Sequence, residues 1–500
     1  MGSAEAVPTG PQQRCGCGSG GWECLVHYGP PQVAAETTKE SDVTDRREPS
    51  QDRHILMITN HGVHEWEVTP GLPDTGGQNV YVNQFTEALI EQGYRVTIVN
   101  RGGYPHPVTG ATQTGMVSHP SGKARILYVE DGTPAFVRKE DMNEHVPLLA
   151  ADLHHKLTAE GVDYDLVISH YWDAAKIGVA LNELGQSEAP HIWVPHSLGA
   201  LKKRNTDPST WADLRIDERI AHERALLGRI DGAVATSSAI RDTFVDDYGY
   251  VPRYFLPPCV DPVRYHPRSP DDCAAVWDFL AQHSPSSASE LRMRPIVLEI
   301  SRTDRPKRKD VLIRAFARVR ERLPDTLLVV ALDERGGAPY EEAVALFGEL
   351  GLERDVITLG SVWERLPCLY AVAAVYCTPS VMEGFGMSAQ EAAATAVPVV
   401  ASDLVPFAAE YLLGSAAKGT DGEPGRGLLM GDAAIVVPAD DVEGFAQALA
   451  MLLSDDALRG RMGQRALEIT IPYFTWAHRT RDLLDDLGLG VETETDAGAG

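Results

Sequence analysis

The sequence predicts an α/β protein built of two Rossmann-like domains that face a cleft. Strand-like apolar runs alternate with helix-like stretches along most of the 500 residues, and this alternation indicates parallel sheets with right-handed crossovers. The alternation occurs in two series, which are separated by a proline-containing break at residues 256–259. Polar or glycine-rich turns follow several of the strands, at the strand ends where doubly wound sheets hold their ligands. Together these observations define the fold class and predict a ligand in the cleft.

Each series contains six predicted strands. The strands of the first series are predicted at 55–59, 95–99, 126–129, 166–169, 192–194 and 232–236, with helices that include 78–92 and 141–160. The strands of the second series are predicted at 296–300, 327–332, 356–359, 374–378, 399–401 and 435–437. The polar stretch 264–289 between them is predicted to carry one helical segment. We therefore expect a first domain over 51–258, a linker over 259–290, and a second domain over 291–487 that ends in a returning helix.

The two ends of the chain lack such periodicity. Residues 1–50 are rich in Gly, Pro, Glu, Thr and Ser, and residues 488–500 are small and polar, so both are predicted to be disordered tails. Cys15, Cys17 and Cys24 lie near His27 and could be imagined to bind zinc. Their spacing matches no common zinc site, so a tail without a metal is favoured.

The overall charge restricts the class of partner. The chain has 45 Lys and Arg against 71 Asp and Glu, a net charge of −26 with a pI near 5.0, which argues against nucleic acid or an anionic membrane as the main partner. No run of 18 apolar residues and no secretory signal is visible, so we expect no transmembrane segment and a cytoplasmic location.

The most informative motif lies in the second domain, at residues 383–391 (EGFGMSAQE). A helix that begins near Met387 would direct free backbone N–H groups and the positive end of its dipole toward the glycine-rich turn. Glu383 and Glu391 can each accept hydrogen bonds from a pair of vicinal hydroxyls, and two diols that flank a diphosphate describe a nucleotide-sugar. The alternative is an ordinary strand–turn–helix junction with solvated charges.

A basic cluster precedes this motif in the same domain. Residues 301–310 (SRTDRPKRKD) follow a predicted buried strand and open a predicted helix, a place where doubly wound sheets hold phosphates. Arg302 can bind phosphate oxygens bidentately and Lys307 can add a point charge. A solvated basic turn is the alternative.

The first domain has its own candidate site. Residues 73–78 (PDTGGQ) form a turn at a helix start, where Gly76 and Gly77 permit close backbone approach. His170 and His196 follow two predicted strands. Structural roles are the alternative for each of these. The basic residues that could hold a phosphate are Lys139, Lys202, Lys203 and Arg204.

With these pieces in order over residues 54–485, the chain resembles a retaining glycosyltransferase of family 4 with the GT-B fold. The motifs at 383–391 and at Arg302 with Lys307 are typical of the superfamily, and SHYWD at 169–173 also matches the family. DTGGQ at 74–78 together with HSLG at 196–199 is typical of the branch of sucrose-phosphate synthase and sucrose synthase. The chain is also similar to mannosylfructose-phosphate synthases of this branch, which use a different sugar nucleotide.

The resemblance implies a role for each motif. It implies that Arg302 and Lys307 bind the donor diphosphate, that Glu383 and the amides after it bind the donor sugar, and that Glu391 binds the ribose. His196 is expected to lie beside the donor sugar. The expected catalytic residues are His196, Arg302, Lys307 and Glu383. The expected donor-binding residues are Gly76, Gly77, Gln78, Gly384, Phe385, Gly386, Met387 and Glu391. The expected acceptor-binding residues are Lys139, His170, Asp173, Lys202, Lys203, Arg204 and Arg219.

The resemblance also implies the chemistry. Transfer retains the anomeric configuration by front-face attack, and the leaving diphosphate takes the proton of the acceptor, so no cofactor and no metal are expected. The expected partners are a UDP-, GDP- or ADP-hexose and a sugar or sugar-phosphate acceptor, with fructose 6-phosphate first; the oligomeric state stays open. The alternatives are an unphosphorylated acceptor, a non-catalytic nucleotide-sugar-binding protein, and a dehydrogenase, although no dinucleotide fingerprint is present.

Two departures from the family pattern affect these expectations. Residues 402–406 read SDLVP where many relatives carry Gly-Gly. Relatives that use sugar phosphates carry paired arginines where this chain has Glu218 followed by Arg219. We therefore expect one phosphate ligand to be replaced by other basic residues of the first domain, or the acceptor to differ.

Overall fold

The fold consists of two eight-stranded sheets, each covered by helices. The computed structural model describes residues 53–490 except 70–71, 186–188, 270, 361, 415–417 and 420–426. The predictions for the N-terminal tail, its cysteines and most of the C-terminal tail lie outside these residues. No helix within the described part is long and apolar enough to cross a membrane.

The first sheet has the strand order β3-β4-β2-β1-β5-β6-β7-β8 and is parallel except at the edge strand β3. Its strands are β1 His54–Ile58, β2 Arg95–Arg101, β3 Met116–Ser118, β4 Ala124–Val129, β5 Leu166–His170, β6 His191–Val194, β7 Gly232–Ala235 and β8 Tyr254–Phe255. Apolar side chains that alternate along the strands are buried on both faces, so the sheet lies between two helical layers.

The second sheet has the order β11-β10-β9-β12-β13-β16-β15-β14, with antiparallel pairing only at β14 and β15. Its strands are β9 Ile296–Glu299, β10 Leu327–Ala331, β11 Val356–Leu359, β12 Val375–Thr378, β13 Val399–Ser402, β14 Lys418–Gly419, β15 Leu429–Met430 and β16 Ala434–Val437. It is likewise buried on both faces.

Helices connect most of the strands. They are α1 Gly77–Glu91, α2 Val146–Glu160, α3 Trp172–Glu183, α4 Gly199–Arg204, α5 Ile216–Leu226, α6 Ser238–Tyr248, α7 Ala274–Ala281, α8 Ala288–Leu291, α9 Lys309–Arg322, α10 Ala338–Glu349, α11 Leu366–Val372, α12 Met387–Ala394, α13 Val442–Ser454, α14 Asp456–Thr470 and α15 Trp476–Asp486.

The twelve predicted strands are all present, and the two-domain α/β fold is confirmed. Four short strands at sheet edges, β3, β8, β14 and β15, were not predicted. The helix predicted over 141–160 is instead a 3₁₀ turn, Met142–Glu144, followed by α2. Pro147 explains the break because its ring is tolerated only in the first turn of a helix. The stretch 264–289 contains α7 and the start of α8 rather than one helical segment.

The last helix returns to the first sheet. The Trp476 ring, at the start of α15, lies edge-on to Tyr81 at 4.8 Å and stacks with Phe85 at 5.7 Å, and its indole N–H donates to Gln84 Oε1 at 3.0 Å. Arg479 of the same helix donates to the carbonyl of Phe255 at 3.0 Å. The C-terminal end of the described chain therefore completes the core of the N-terminal half.

Candidate active site

The candidate residues occupy two poles, one at the carboxyl end of each parallel sheet. We call the residues that follow β9 and β12 the donor pole, and those that follow β1, β5 and β6 the acceptor pole. The donor pole contains a loop at 301–308 and the turn at 383–386. A backbone hydrogen bond links these two segments: the N–H of Val381 donates to the carbonyl of Pro306 at 2.8 Å.

The two predicted charged residues of the donor pole pair directly. Lys307 Nζ lies 2.5 Å from Glu383 Oε1, and both side chains are largely buried. Arg302 is different, because 84% of its side chain is exposed and its only ion pair in the described chain is with Asp304 at 3.0 Å. Arg302 therefore presents a guanidinium to solvent beside a buried Lys–Glu pair, an arrangement that can hold a diphosphate.

The glycine-rich turn leads directly into α12, as predicted. Gly386 has φ 108°, and a Cβ at this position would lie 2.7 Å from Val405 Cγ1. Phe407 N–H donates to the carbonyl of Phe385 at 2.8 Å. The segment 402–406, where many relatives have Gly-Gly, thus packs against the turn and fixes its shape.

The Phe385 side chain points away from the turn. Its ring lies within 5.5 Å of Phe407 and 5.7 Å of Phe474, and the residue is buried. Only the backbone of Phe385 is therefore left to contact a donor. Gly384 is exposed with no atom within 4 Å of an added Cβ, so the backbone of the turn is open to solvent at this residue.

Glu391 lies on the first turns of α12, where it accepts a hydrogen bond from the hydroxyl of Tyr370 at 2.8 Å. Burial raises the pKa of Glu391 to about 7, although the Tyr370 hydrogen bond acts in the opposite direction. An ionised carboxylate accepts from both hydroxyls of a diol more strongly than the protonated acid does, and the ionised fraction of Glu391 changes near neutral pH.

The acceptor pole contains a narrow cavity in which charges of both signs converge. The charged residues that line it are Lys139, Glu140, Lys202, Arg215, Glu218 and Arg219. Burial, followed by the neighbouring charges of Arg219 and Lys139, lowers the pKa of Lys202. Cations placed so that they repel one another are characteristic of a site for an anion.

Arg215 is the residue of this cavity that the sequence did not reveal. It has φ 44° and precedes α5. Its guanidinium lies 3.1 Å from Asp141 and 3.9 Å from Glu218. Arg215 therefore brings a second guanidinium to the wall that holds Arg219, one helical turn before the position at which sugar-phosphate-using relatives place their paired arginines.

Arg219 itself is held by protein groups. It is 5% exposed and donates to Glu223 Oε1 at 2.7 Å, to the carbonyl of Ser197 at 2.6 Å and to the hydroxyl of Tyr171. Through its bond to Ser197, Arg219 holds the loop that carries His196, and its positive charge lies in the wall of the cavity.

Two predicted acceptor ligands do not reach the cavity. Lys203 pairs with Asp217 at 2.6 Å and lies over the ring of Trp211 at 4.6 Å. Arg204 donates to Thr243 Oγ1 at 2.8 Å, on the far side of α4. Successive helical residues point about 100° apart, so only Lys202 of this basic run faces the cavity. Lys203 and Arg204 thus face away from this cavity, and their role in acceptor binding stays a prediction.

His170 and Asp173, both predicted to bind the acceptor, have no exposed surface. The Asp173 carboxylate contacts His61 Nδ1 at 3.0 Å and accepts from Asn60 at 3.2 Å. His170 Nδ1 lies 2.9 Å from His196 Nε2. Both residues therefore contact other side chains, and their role in acceptor binding stays a prediction.

The loop at 73–78 covers the same end of the first sheet. Gly76 N–H donates to Asn79 Oδ1 at 2.9 Å, and Gln78 donates to Thr59 Oγ1 at 3.1 Å. No atom lies within 4 Å of a Cβ added at Gly76 or Gly77. Lys139 pairs with Asp74 and with Glu140, so the cation of the cavity and this loop are joined.

Backbone strain is concentrated at the two poles. Five of the six non-glycine residues with positive φ in the described chain lie there: Asp74, Tyr171, His196, Arg215 and Arg308. Such conformations cost roughly 1–3 kcal/mol each and persist where the surrounding structure determines them, commonly at functional sites. No motif in the sequence indicated this feature for Tyr171 or Arg215.

Two family models match this chain in the order of its two sheets. The model described as Glycosyltransferase Family 4 matches residues 75–264, and the model described as Glycosyl transferases group 1 matches residues 285–468. The fold and these matches define a GT-B glycosyltransferase. The chain belongs to glycosyltransferase family 4 and is a hexosyltransferase.

Individual relatives agree with this class. The chain is 27% identical to the mannosylfructose-phosphate synthase of Agrobacterium fabrum, over 89% of this chain and 94% of that protein. It is 27% identical to the D-inositol 3-phosphate glycosyltransferase of Corynebacterium aurimucosum, over 82% of this chain and 90% of that protein. The solved structure of the sucrose-phosphate synthase of Thermosynechococcus elongatus superposes with a TM-score of 0.68 at 23% identity, covering 89% of this chain and 100% of that one.

Proposed function

We propose that this protein is a retaining transferase that moves glucose or mannose from a nucleotide diphosphate sugar to a sugar phosphate, with fructose 6-phosphate as the first acceptor to test. The observation that carries the proposal is the cavity at the acceptor pole, where Lys139, Lys202 and Arg215 converge at the end of the first sheet. The names of the two curated relatives, a mannosylfructose-phosphate synthase and an inositol 3-phosphate glycosyltransferase, each include a phosphorylated acceptor or product.

The donor pole accounts for the bond that breaks. As the glycosidic C–O bond to the diphosphate lengthens, negative charge grows on the leaving oxygen, and Arg302 and Lys307 would stabilise it. The acceptor hydroxyl attacks the same face and passes its proton to that leaving phosphate. Glu383 would bind hydroxyls of the transferred hexose, and the amides at 384–386 would bind its oxygens. In this proposal the side chains supply charge and orientation, and no cofactor and no metal take part.

Closure of the cleft would protect the donor from water. The loop at 73–78 follows the first strand of the first sheet, and a Cβ added at Gly76 or Gly77 would meet no atom within 4 Å. Bringing them over the diphosphate would exclude solvent and limit hydrolysis of the donor.

An unphosphorylated acceptor is the second candidate, and one observation favours it. Each cation of the cavity already has a carboxylate within 4 Å: Lys139 has Asp74 and Glu140, Lys202 has Glu140, and Arg215 has Asp141 and Glu218. A phosphate must compete with these carboxylates, whereas a neutral polyol could hydrogen-bond to both charges.

Nucleotide release by the purified protein would decide between these acceptors. UDP-, GDP- and ADP-glucose and GDP-mannose would each be tested alone, with fructose 6-phosphate, with D-inositol 3-phosphate and with fructose. Release that requires one donor and a sugar phosphate would support the proposal and identify both substrates. Release with fructose but not with its phosphate would support the second candidate. Binding of a donor without turnover in any combination would contradict the proposed transfer.

A further inference from the structure

His170 and His196 form a histidine pair at the carboxyl end of the first sheet, and the proposed transfer assigns no role to His170. His170 is the last residue of β5, and its register partner on β6 is Val194. His196 lies two residues beyond that partner and has φ 54°, so the chain turns back and brings the two imidazoles together. Their nitrogens, His170 Nδ1 and His196 Nε2, are 2.9 Å apart, a hydrogen-bond distance.

Both imidazoles are neutral in this setting. Burial, with His61 nearby, lowers the pKa of His196 to about 3. Burial, with His196 and His64 nearby, lowers the pKa of His170 well below its ordinary value. The Tyr81 ring packs edge-on against both histidines. A neutral imidazole carries one N–H and one lone pair, so one proton lies between the two rings.

The position of that proton follows from the other nitrogen of His170. His170 has no exposed surface, and its Nε2 is buried without a hydrogen-bond partner in the described part of the chain. If His196 donated to His170, that Nε2 would carry a buried N–H with no acceptor. If His170 donates instead, Nε2 keeps only an unused lone pair. Orphaned buried N–H groups are the rarer case in proteins, and they cost about 1–3 kcal/mol.

We propose that His170 is a positioning residue that donates from Nδ1 to His196 Nε2 and so fixes the proton of His196 on Nδ1. His196 is partly exposed, and its Nδ1 has no partner in the described chain. It therefore meets a ligand as an N–H donor. Placed beside the donor sugar, it would donate to a hydroxyl oxygen and could not accept the proton of the acceptor. This inference rests on the proposed transfer and adds a reason why the leaving phosphate takes that proton.

Two substitutions at residue 170 separate positioning from packing. In His170→Asn the amide nitrogen lies about where Nδ1 was and can still donate, whereas His170→Phe keeps a ring but loses the donor. We expect His170→Phe to lower kcat by about 10²-fold, the order expected when a catalytic group is misplaced by about 1 Å, with little change in the KM of the acceptor. His170→Asn should recover most of that loss. Equal loss in both variants, or no loss in His170→Phe, would overturn the proposal.

The tautomer itself can be observed without turnover. In protein labelled with ¹⁵N-histidine, His196 should show a protonated Nδ1 and a bare Nε2, with His196→Ala used to assign the signals. A protonated Nε2 on His196 in the wild-type protein would overturn the proposal whatever the kinetics show. If no donor and acceptor pair supports turnover, the proposed function fails while the NMR spectrum still decides the role of His170.

Discussion

The donor and acceptor poles hold similar charges but are built in different ways. At the donor pole the main groups come from two short loops, and Arg302 is 84% exposed while Lys307 pairs with Glu383. At the acceptor pole the cavity is assembled from several separate segments, and Arg219 is 5% exposed with all its contacts to protein groups. The donor pole thus has charge available for a ligand, whereas the acceptor pole has charge already neutralised by its own carboxylates.

The difference has a physical consequence. A side chain in solvent can move to a ligand at the cost of a few rotamers, so truncating the exposed Arg302 should lower activity without lowering stability. A buried charge that loses its partner leaves an uncompensated charge, so the acceptor pole couples binding to folding.

The largest effect is expected from Arg302→Ala. In the proposed reaction this guanidinium stabilises charge on the leaving diphosphate, so we expect its removal to lower kcat by about 10²–10³-fold. Its exposure predicts an unchanged Tm. The matched control is Arg305→Ala in the same loop, whose exposed side chain pairs with Glu342. Equal kcat in the two variants would remove Arg302 from the site.

A smaller effect is expected at the acceptor pole. Lys202→Ala removes a charge-assisted contact worth about 1.5–3 kcal/mol, so the KM for a sugar phosphate should rise about 10–100-fold. Lys203→Ala is the neighbour that faces away, and it should leave that KM unchanged. Steady-state kinetics of the two variants checks this, and a larger effect in Lys203→Ala would mean that the cavity is not the acceptor site.

A stability effect is expected where the donor pole is packed. Gly386→Ala would place a Cβ 2.7 Å from Val405 Cγ1 at φ 108°, and we expect a loss of about 1–3 kcal/mol of unfolding free energy. Adding Val405→Ala should recover part of this, since it removes the clash but not the strain. Gly384→Ala, in open space two residues earlier, should unfold like wild type. Thermal unfolding of wild type, Gly386→Ala, the double variant and Gly384→Ala measures these differences. Equal losses of stability in Gly386→Ala and Gly384→Ala would contradict this packing.

The smallest effect is expected from pH. The pKa of Glu391 is about 7 in the folded chain against 4.5 ordinarily, so the folded state holds this proton more tightly. Its contribution to stability is complete below about pH 4.5 and is lost as pH rises through about 7. Donor binding should change with pH in the opposite direction: if Glu391 binds the ribose as proposed, its ionised form is the stronger acceptor, and the KM for the donor should fall a few-fold as pH rises through about 7.

Glu391→Gln should remove this pH dependence, and Glu349→Gln, at an exposed site on α10, should keep it. The KM of the donor at several pH values would be compared in the three proteins. A slope that persists in Glu391→Gln would assign the titration to another group.

The donor pole could be predicted from sequence because its residues are adjacent in the chain. The glycines, the helix start at Met387 and the strand before Arg302 all have local signals, and their geometry follows from strand–loop–helix connections. The basic run 202–204 also had a local signal, but helical rotation separates its side chains, so the sequence alone could not show which one faces the cavity.

Only part of the acceptor pole could be predicted in this way, namely Lys139, Lys202 and Arg219. Arg215 acts through a left-handed backbone conformation and through a neighbour from another segment, Asp141, and neither leaves a pattern in the sequence. Asp173 was identified as a functional residue because of its motif, yet its carboxylate serves His61. Polar residues at strand ends indicate where a site lies, but whether each contacts a ligand or another side chain depends on the tertiary packing.

The returning helix α15 delays completion of the first domain during synthesis. The first sheet can form as soon as its strands leave the ribosome, but Trp476, Leu483 and Leu484 belong to its core and are translated only after the whole second half. At roughly 5–20 residues per second this delay lasts tens of seconds. During that interval Tyr81 and Phe85 lack the Trp476 ring that packs against them in the complete fold. This apolar surface of the nascent chain is then open to contacts with other chains.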